Sequence, residues 1–118
     1  MTTDLAGLAP GQLALRVQKA DDYAIVLEFL DQDAAPIDTT AWTFAAQIRE
    51  TYQGALLAEF DFDRIGLDDN QLRLTLTAAE TDAIGEGTWV WDFVRLTDGP
   101  VRTLLAGAAV VVPNATEV

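Results

Sequence analysis

The sequence predicts an all-β protein of about seven strands folded as a two-sheet β-sandwich. Apolar and polar residues alternate with a period of two in several short segments, as they do in half-buried strands. Polar turns separate these segments at short spacing, and the chain has no internal repeat. At 118 residues it has the length of one domain.

The N-terminal segment differs from the rest of the chain. It contains glycines and a proline and shows no sustained period, so we expect a flexible arm over residues 1–12. The sandwich domain is predicted over residues 13–113, and a C-terminal tail over residues 114–118. Two apolar arm residues, Leu5 and Leu8, are candidate contacts to a partner protein.

The first half of the sandwich contains four predicted strands, each with alternating apolar residues. The second of them is apolar on both faces, which suits a central strand or a sheet whose second face meets a partner. An acidic loop is expected over residues 63–70. The four predicted strands cover residues 13–18, 23–30, 42–49 and 57–62.

A single helical turn is expected after the next strand, residues 71–77. Thr77 and Glu80 have the spacing of a capping box, in which each residue hydrogen-bonds the other's backbone N–H. Gly85 and Gly87 then end the helix.

The last two predicted strands, residues 88–97 and 101–112, are joined by a turn that contains the hairpin signal Asp-Gly. Both faces of the first of these strands are apolar. One face carries Trp89, Trp91 and Phe93, and the other carries Val90, Val94 and Leu96.

Composition argues against catalysis. The chain has no cysteine, histidine or serine, so Ser–His and Cys–His nucleophiles and the usual zinc sites are excluded. We therefore predict that the protein is not an enzyme and holds no metal or cofactor. Its net charge is −12, with 19 acidic and 7 basic residues, which argues against nucleic acid or an anionic membrane as a partner.

The sequence also lacks targeting signals. The N-terminus has neither a basic region nor a continuous apolar segment, so no signal peptide is predicted. No apolar run approaches the roughly 20 residues of a transmembrane helix. We expect a protein that remains in the cytosol or enters a particle assembled there.

Three kinds of ligand chemistry are alternatives. Acidic pairs in the loops have the oxygen ligands that calcium needs, although solvated carboxylates are the favoured interpretation. Glu28 and Asp92 are candidates for an acid–base pair, but solvent-facing or salt-bridged side chains are favoured, or a buried hydrogen bond for Asp92. Trp42, Trp89 and Trp91 are candidates for a sugar platform, with core packing favoured for the first two.

Several segments in fixed order resemble small immunoglobulin-like domains of tailed bacteriophages, above all the N-terminal domain of the phage baseplate upper protein. The resemblance covers residues 13–113 and brings no catalytic or binding residue with it. The segments are residues 36–42 (PIDTTAW), 46–49 (AQIR), 74–81 (LTLTAAET) with Gly87, 89–92 (WVWD), Gly107 and 110–113 (VVVP).

The resemblance implies an immunoglobulin-like sandwich that serves as a non-catalytic docking module of a virion, assembled in the host cytoplasm. Because the chain stops at Val118, without the long extension of the baseplate family, we expect a capsid decoration or cement protein. A baseplate or tail adaptor is the first alternative, and a carbohydrate- or calcium-dependent binding module is the second. We expect a homo-oligomer that binds phage capsid or tail proteins through Leu5, Leu8 and Trp91.

Overall fold

The computed structural model describes residues 2–3, 11–67, 69–97 and 99–114, and for residues 2–3 the backbone alone. These residues form ten β-strands and one α-helix. In chain order they are β1 (Thr2–Thr3), β2 (Gly11–Gln12), β3 (Leu15–Gln18), β4 (Tyr23–Phe29), β5 (Phe44–Arg49), β6 (Leu56–Glu59), β7 (Asp61–Ile65), β8 (Gln71–Leu76), α1 (Ala78–Ile84), β9 (Gly87–Arg95) and β10 (Arg102–Val112).

The strands form two sheets. The four-stranded sheet has the order β1-β4-β8-β7. The six-stranded sheet has the order β2-β10-β9-β5-β6, and β3 also pairs with β10. In an immunoglobulin sandwich, strands B, E and D share one sheet and C, F and G the other. Strands β4, β8 and β7 correspond to B, E and D, and strands β5, β9 and β10 correspond to C, F and G. Strand β6 is an additional strand in the position of C′. The predicted two-sheet sandwich is therefore confirmed.

The strand count exceeds the predicted seven partly because the predicted strand over residues 57–62 is divided at Phe60. Its first part, β6, pairs with β5, whereas its second part, β7, pairs with β8 in the other sheet. Phe60 is buried, and its backbone N–H donates to the carbonyl oxygen of Ala46 at 3.0 Å. Strand β7 also extends through Ile65, into the predicted acidic loop.

The other two additional strands lie in the predicted arm. Thr2–Thr3 pairs with the end of β4, and Gly11–Gln12 pairs with β10, both in parallel. The prediction of an arm outside the sheets is wrong for these residues. Leu5 and Leu8 lie outside the described residues. At the other terminus, the Asn114 side-chain amide donates to the carbonyl oxygen of Lys19 at 2.6 Å.

Aromatic packing joins the two sheets at the centre of the core. Phe29 of β4 and Phe93 of β9 lie 6.2 Å apart between ring centroids, and Phe93 stacks on Phe44 at 5.0 Å. Antibody domains link their B and F strands by a disulfide, and this cysteine-free chain joins the same two strands by ring contacts. The other large, fully buried side chains are Val17, Leu27, Ile48, Leu72, Leu74, Leu76, Trp91 and Leu105.

Helix α1 begins with the predicted capping box. The Thr77 hydroxyl accepts from the Glu80 N–H at 3.2 Å, and the Glu80 carboxylate accepts from the Thr77 N–H at 2.9 Å. Asp22 accepts a further bond from the Ala78 N–H at 2.8 Å. The helix ends at Gly85, whose φ of 84° is a conformation that favours glycine. Local sequence chemistry thus determines both ends of this element.

Candidate docking surface

The outer face of strands β5, β9 and β10, here called the sheet face, is the surface with the most distinctive chemistry. Along β9 the side chains of Trp91 and Phe93 point into the core, so their neighbours point outward. Most outward side chains in these strands are small or apolar, and all are partly exposed. The sheet face consists of Ala45, Gln47, Arg49, Val90, Asp92, Val94, Ala106 and Ala108.

Asp92 lies at the centre of the sheet face. It is directly opposite Gln47 on β5 and Ala106 on β10. Val90 and Val94 are its same-face neighbours along β9, two residues away on either side. The register therefore surrounds one carboxylate with three apolar side chains and one amide.

A hydrogen-bonded group borders Asp92 on the β5 side. Arg49 donates through Nε and Nη2 to the side-chain oxygen of Gln47, at 3.1 and 2.8 Å, and through Nη1 to the carbonyl oxygen of Gly54 at 2.9 Å. The Gln47 amide donates in turn to Glu59 at 3.0 Å. These bonds hold the Arg49 guanidinium toward Gln47 and the β5–β6 turn.

The Asp92 carboxylate has no such support. Within the described part of the chain it makes no hydrogen bond or ion pair. Partial burial raises its pKa, and the positive charge of Arg49 opposes that rise without cancelling it. A carboxylate that loses hydration without gaining a partner destabilises the folded chain. Residues of this kind are candidates for a role in binding.

Trp91 does not form part of this surface. Its side chain is 1% exposed, and its indole N–H donates to the carbonyl oxygen of Leu13 at 2.7 Å. Its ring also contacts Phe60, with centroids 6.0 Å apart. The prediction that Trp91 contacts a partner or a sugar is therefore wrong, because the side chain is core. Trp42 is also buried, and Trp89 is half-buried.

The acidic loops use their carboxylates locally. Asp31 accepts from the backbone N–H groups of Asp33 and Ala35, at 2.8 and 3.0 Å, and so closes its own loop. Asp63 pairs with Arg73 at 2.7 Å on the surface. No group of three or more acidic side chains suited to a metal ion occurs among the described residues.

Glu28 and Asp92 lie on opposite sides of the sandwich. Glu28 is on the outer face of the four-stranded sheet, where it accepts from the Gln71 amide at 2.9 Å. Asp92 is on the outer face of the six-stranded sheet. The two carboxylates therefore do not face each other across a cleft, as an acid–base pair must.

A second set of exposed apolar side chains occurs at one end of the sandwich. Leu67, Leu96 and Val101 are 102%, 42% and 67% exposed. They lie in two loops, after β7 and between β9 and β10, and do not form a continuous face. A buried Thr39 ties the loop after β4 to the loop after β7, since its hydroxyl donates to the carbonyl oxygen of Asp69 at 2.7 Å.

The fold defines a class: a small immunoglobulin-like sandwich. No protein-family model matches the chain, and no curated protein matches it. Among solved structures the chain is similar to the N-terminal domain of ORF48 of phage TP901-1. The TM-score is 0.51, with 13% identity over 93% of both chains. This likeness confirms, at the level of the fold, the resemblance to tailed-phage sandwich domains.

Over the part of the chain that the structure describes, no helix is long and apolar enough to cross a bilayer. The described helix, α1, has seven residues.

Proposed function

We propose that this protein is a structural component of a tailed-phage virion and acts as a non-catalytic docking module. The observation that carries the proposal is the likeness in fold to the phage ORF48 domain, which extends over 93% of both chains. The sheet face supports it further, because a sheet whose outer surface is largely apolar suits protein contact.

The distribution of polar residues supports a non-catalytic role. The sequence contains no histidine, serine or cysteine, and the carboxylates Glu28 and Asp92 lie on opposite sides of the sandwich. Nucleophilic and acid–base mechanisms need reactive groups within hydrogen-bond reach of one another. The described carboxylates are instead dispersed or used in local turns.

Two positions on the particle fit this proposal. Decoration of the capsid is the position that the sequence favours. A baseplate or tail position is favoured by the resemblance of the sequence segments to the N-terminal domain of the phage baseplate upper protein, and the similar solved domain also comes from a phage. In either position the partners are phage structural proteins, the chain assembles with them in the host cytoplasm, and the protein itself forms an oligomer.

The experiment that tests the proposal is quantitative mass spectrometry of purified virions from the phage that encodes this chain. Hundreds of copies per particle indicate capsid decoration, and a few to tens indicate the tail. Separated heads and tails, measured in parallel, provide an independent location. If the protein is absent from purified particles but present in the infected-cell lysate, the virion proposal is wrong.

A further inference from the structure

We propose that the sheet face docks on a phage structural protein that places a lysine or arginine side chain against Asp92. This inference rests on the proposed function and adds the chemistry of the contact. Four observations carry it: the apolar composition of the face, the unpaired carboxylate at its centre, the bonds that already occupy Arg49, and the net charge of the chain.

The sheet face has the character of an interface core. Charged residues are depleted in such cores and apolar residues predominate. Around Asp92 the face presents Val90, Val94, Ala106 and Ala108, all partly exposed. Three strands about 4.8 Å apart, each five residues long at about 3.4 Å per residue, cover roughly 250 Å². That is about a third of the roughly 800 Å² that each partner buries in a standard interface, so the sheet face supplies the centre of the contact. Exposed Tyr52 borders this area, since its hydroxyl donates to the Gly107 carbonyl oxygen of β10 at 3.4 Å.

The carboxylate at the centre determines the partner's charge. An apolar surface laid over Asp92 would remove its remaining hydration and leave a buried, unpaired charge, which is strongly unfavourable. A partner cation placed on the carboxylate supplies the missing hydrogen bonds. Arg49 is poorly placed to do so, because three of its donor atoms already bond Gln47 and the Gly54 carbonyl.

A second copy of this chain is a poorer occupant. Each copy has a net charge of −12, which disfavours contact between two copies at a face with an acidic centre, so the proposed oligomer would form through another surface. A two-fold contact centred on the sheet face would also bring two Asp92 carboxylates together, and like charges at an interface are costly. At the β6 edge of the face lies a further acid, Glu59, which adds to the negative potential. The charge pattern is complementary to a basic surface.

The test uses virions of the phage that encodes this chain. A photo-crosslinking amino acid replaces Val94 on the sheet face, and in a control it replaces exposed Ala24 on the outer face of the other sheet. In separate phages, Asp92→Asn removes the central charge, and Asp82→Asn removes an exposed charge on α1 as the matched control. Copies per virion are counted for each variant, and circular dichroism confirms that each is folded.

We expect the crosslink from position 94 to reach one phage structural protein next to a lysine or arginine, and the control position to give no such product. Asp92→Asn should lower the number of copies per virion at least tenfold, and Asp82→Asn should leave it unchanged. Asp92→Lys, combined with an acidic substitution at the crosslinked basic residue, should restore incorporation.

Three results would overturn the inference while leaving the proposed function intact. They are a crosslink between two copies of this chain, a crosslink to a surface without a basic residue, and full incorporation of Asp92→Asn. Absence of the unsubstituted protein from virions is a different outcome, seen before any variant is made, and it removes the proposed function together with this inference.

Discussion

The indole nitrogen of Trp91 lies 2.7 Å from the carbonyl oxygen of Leu13 and donates a hydrogen bond to it. The same oxygen lies only 2.2 Å from the position that a Cβ atom on Gly107 would occupy. The chain between β2 and β3 therefore runs beside β10 and lies closest to it at Gly107, the one position where that strand has no side chain. One tryptophan and one glycine together fix the entry of the chain into the six-stranded sheet.

Loss of the Trp91 hydrogen bond should destabilise the fold. In Trp91→Phe the Leu13 carbonyl loses its side-chain donor in a buried setting, and we expect a loss of about 1–3 kcal/mol, the cost of an unsatisfied buried group. The measurement is the free energy of unfolding from denaturant titration. Trp89→Phe is the matched control: its indole N–H donates to the Gly85 carbonyl at 3.1 Å, but its side chain is partly exposed, so water can replace the bond. Equal losses in both variants would contradict this account.

The close approach at Gly107 gives a second prediction. In Gly107→Ala the added methyl meets the backbone of Leu13, which cannot rotate away as a side chain would. We expect a loss of about 1–3 kcal/mol or more, the typical cost of overpacking. Ala108→Val, which adds atoms to the outer face of the same strand, should change the thermal midpoint little. An unaltered thermal midpoint for Gly107→Ala would contradict this prediction, because it would mean that the backbone at Leu13 shifts to accommodate the methyl group at no cost.

Thr39 links two loops and should contribute measurably to stability. It is 0% exposed, and both its hydroxyl and its N–H donate to the Asp69 carbonyl, at 2.7 and 3.1 Å. Thr39→Val keeps the shape and the backbone bond but loses the hydroxyl, so we expect a loss of about 1 kcal/mol. Thr88→Val is the control, at an exposed position where the hydroxyl makes no hydrogen bond within the described residues, and it should cost less in a urea titration of both variants. The reverse order would argue against the buried link.

Asp92 should give the stability of the protein a distinctive pH dependence. Partial burial raises its pKa in the folded chain. The folded state therefore binds this proton more tightly than the unfolded state, and the resulting stabilisation is present at low pH and lost as the pH rises through the raised pKa. Asp92→Asn carries no charge, so it should match the native protein near pH 3 and become relatively more stable toward neutral pH, beginning from about pH 4.

Asp38 provides a control of opposite sign for that titration. Hydrogen bonds from the Thr40 hydroxyl and N–H lower the pKa of the Asp38 carboxyl. The stabilisation that the ionised Asp38 gives the folded chain is present above the pKa of this carboxyl in the unfolded chain. It is lost as the pH falls through the lowered pKa of the folded chain. Asp38→Asn should therefore be less stable than the native protein at neutral pH, with the difference shrinking in acid. Thermal unfolding from pH 2.5 to 7 measures both variants, and parallel profiles would refute the assignment of the two environments.

Local patterns in the sequence predicted much of the fold. The alternation along residues 44–49 and 87–95 places Ile48 and Phe93 on the buried face, and the capping box of Thr77 depends only on residues within one helical turn. Such features need no knowledge of distant parts of the chain, and the structure confirms them.

Features that depend on distant contacts were missed. Alternation continues through Phe60, so nothing local shows that the chain changes sheets there. The two-residue strands β1 and β2 are too short to show a period. Periodicity placed Trp91 on the same face of its strand as Phe93, and both side chains are buried in the core. The prediction that Trp91 contacts a partner did not take this shared face into account. The isolation of Asp92 depends on the register of β9 against β5 and β10, which a single sequence does not provide.

The parallel pairing of β2 and β3 with β10 also has a kinetic consequence. Gly11 is opposite Leu105, and Leu15 is opposite Ala109. The first strands of this sheet along the chain therefore pair with its last strand. Before contacts this far apart in sequence can form, a long loop must close, and the conformational entropy lost in closing it slows folding. A ribosome must therefore release β10 before the Leu13 carbonyl meets Trp91 and Gly107. Until then, β3 has no partner strand, and β9, which pairs only with β5, is a sheet edge exposed to neighbouring nascent chains.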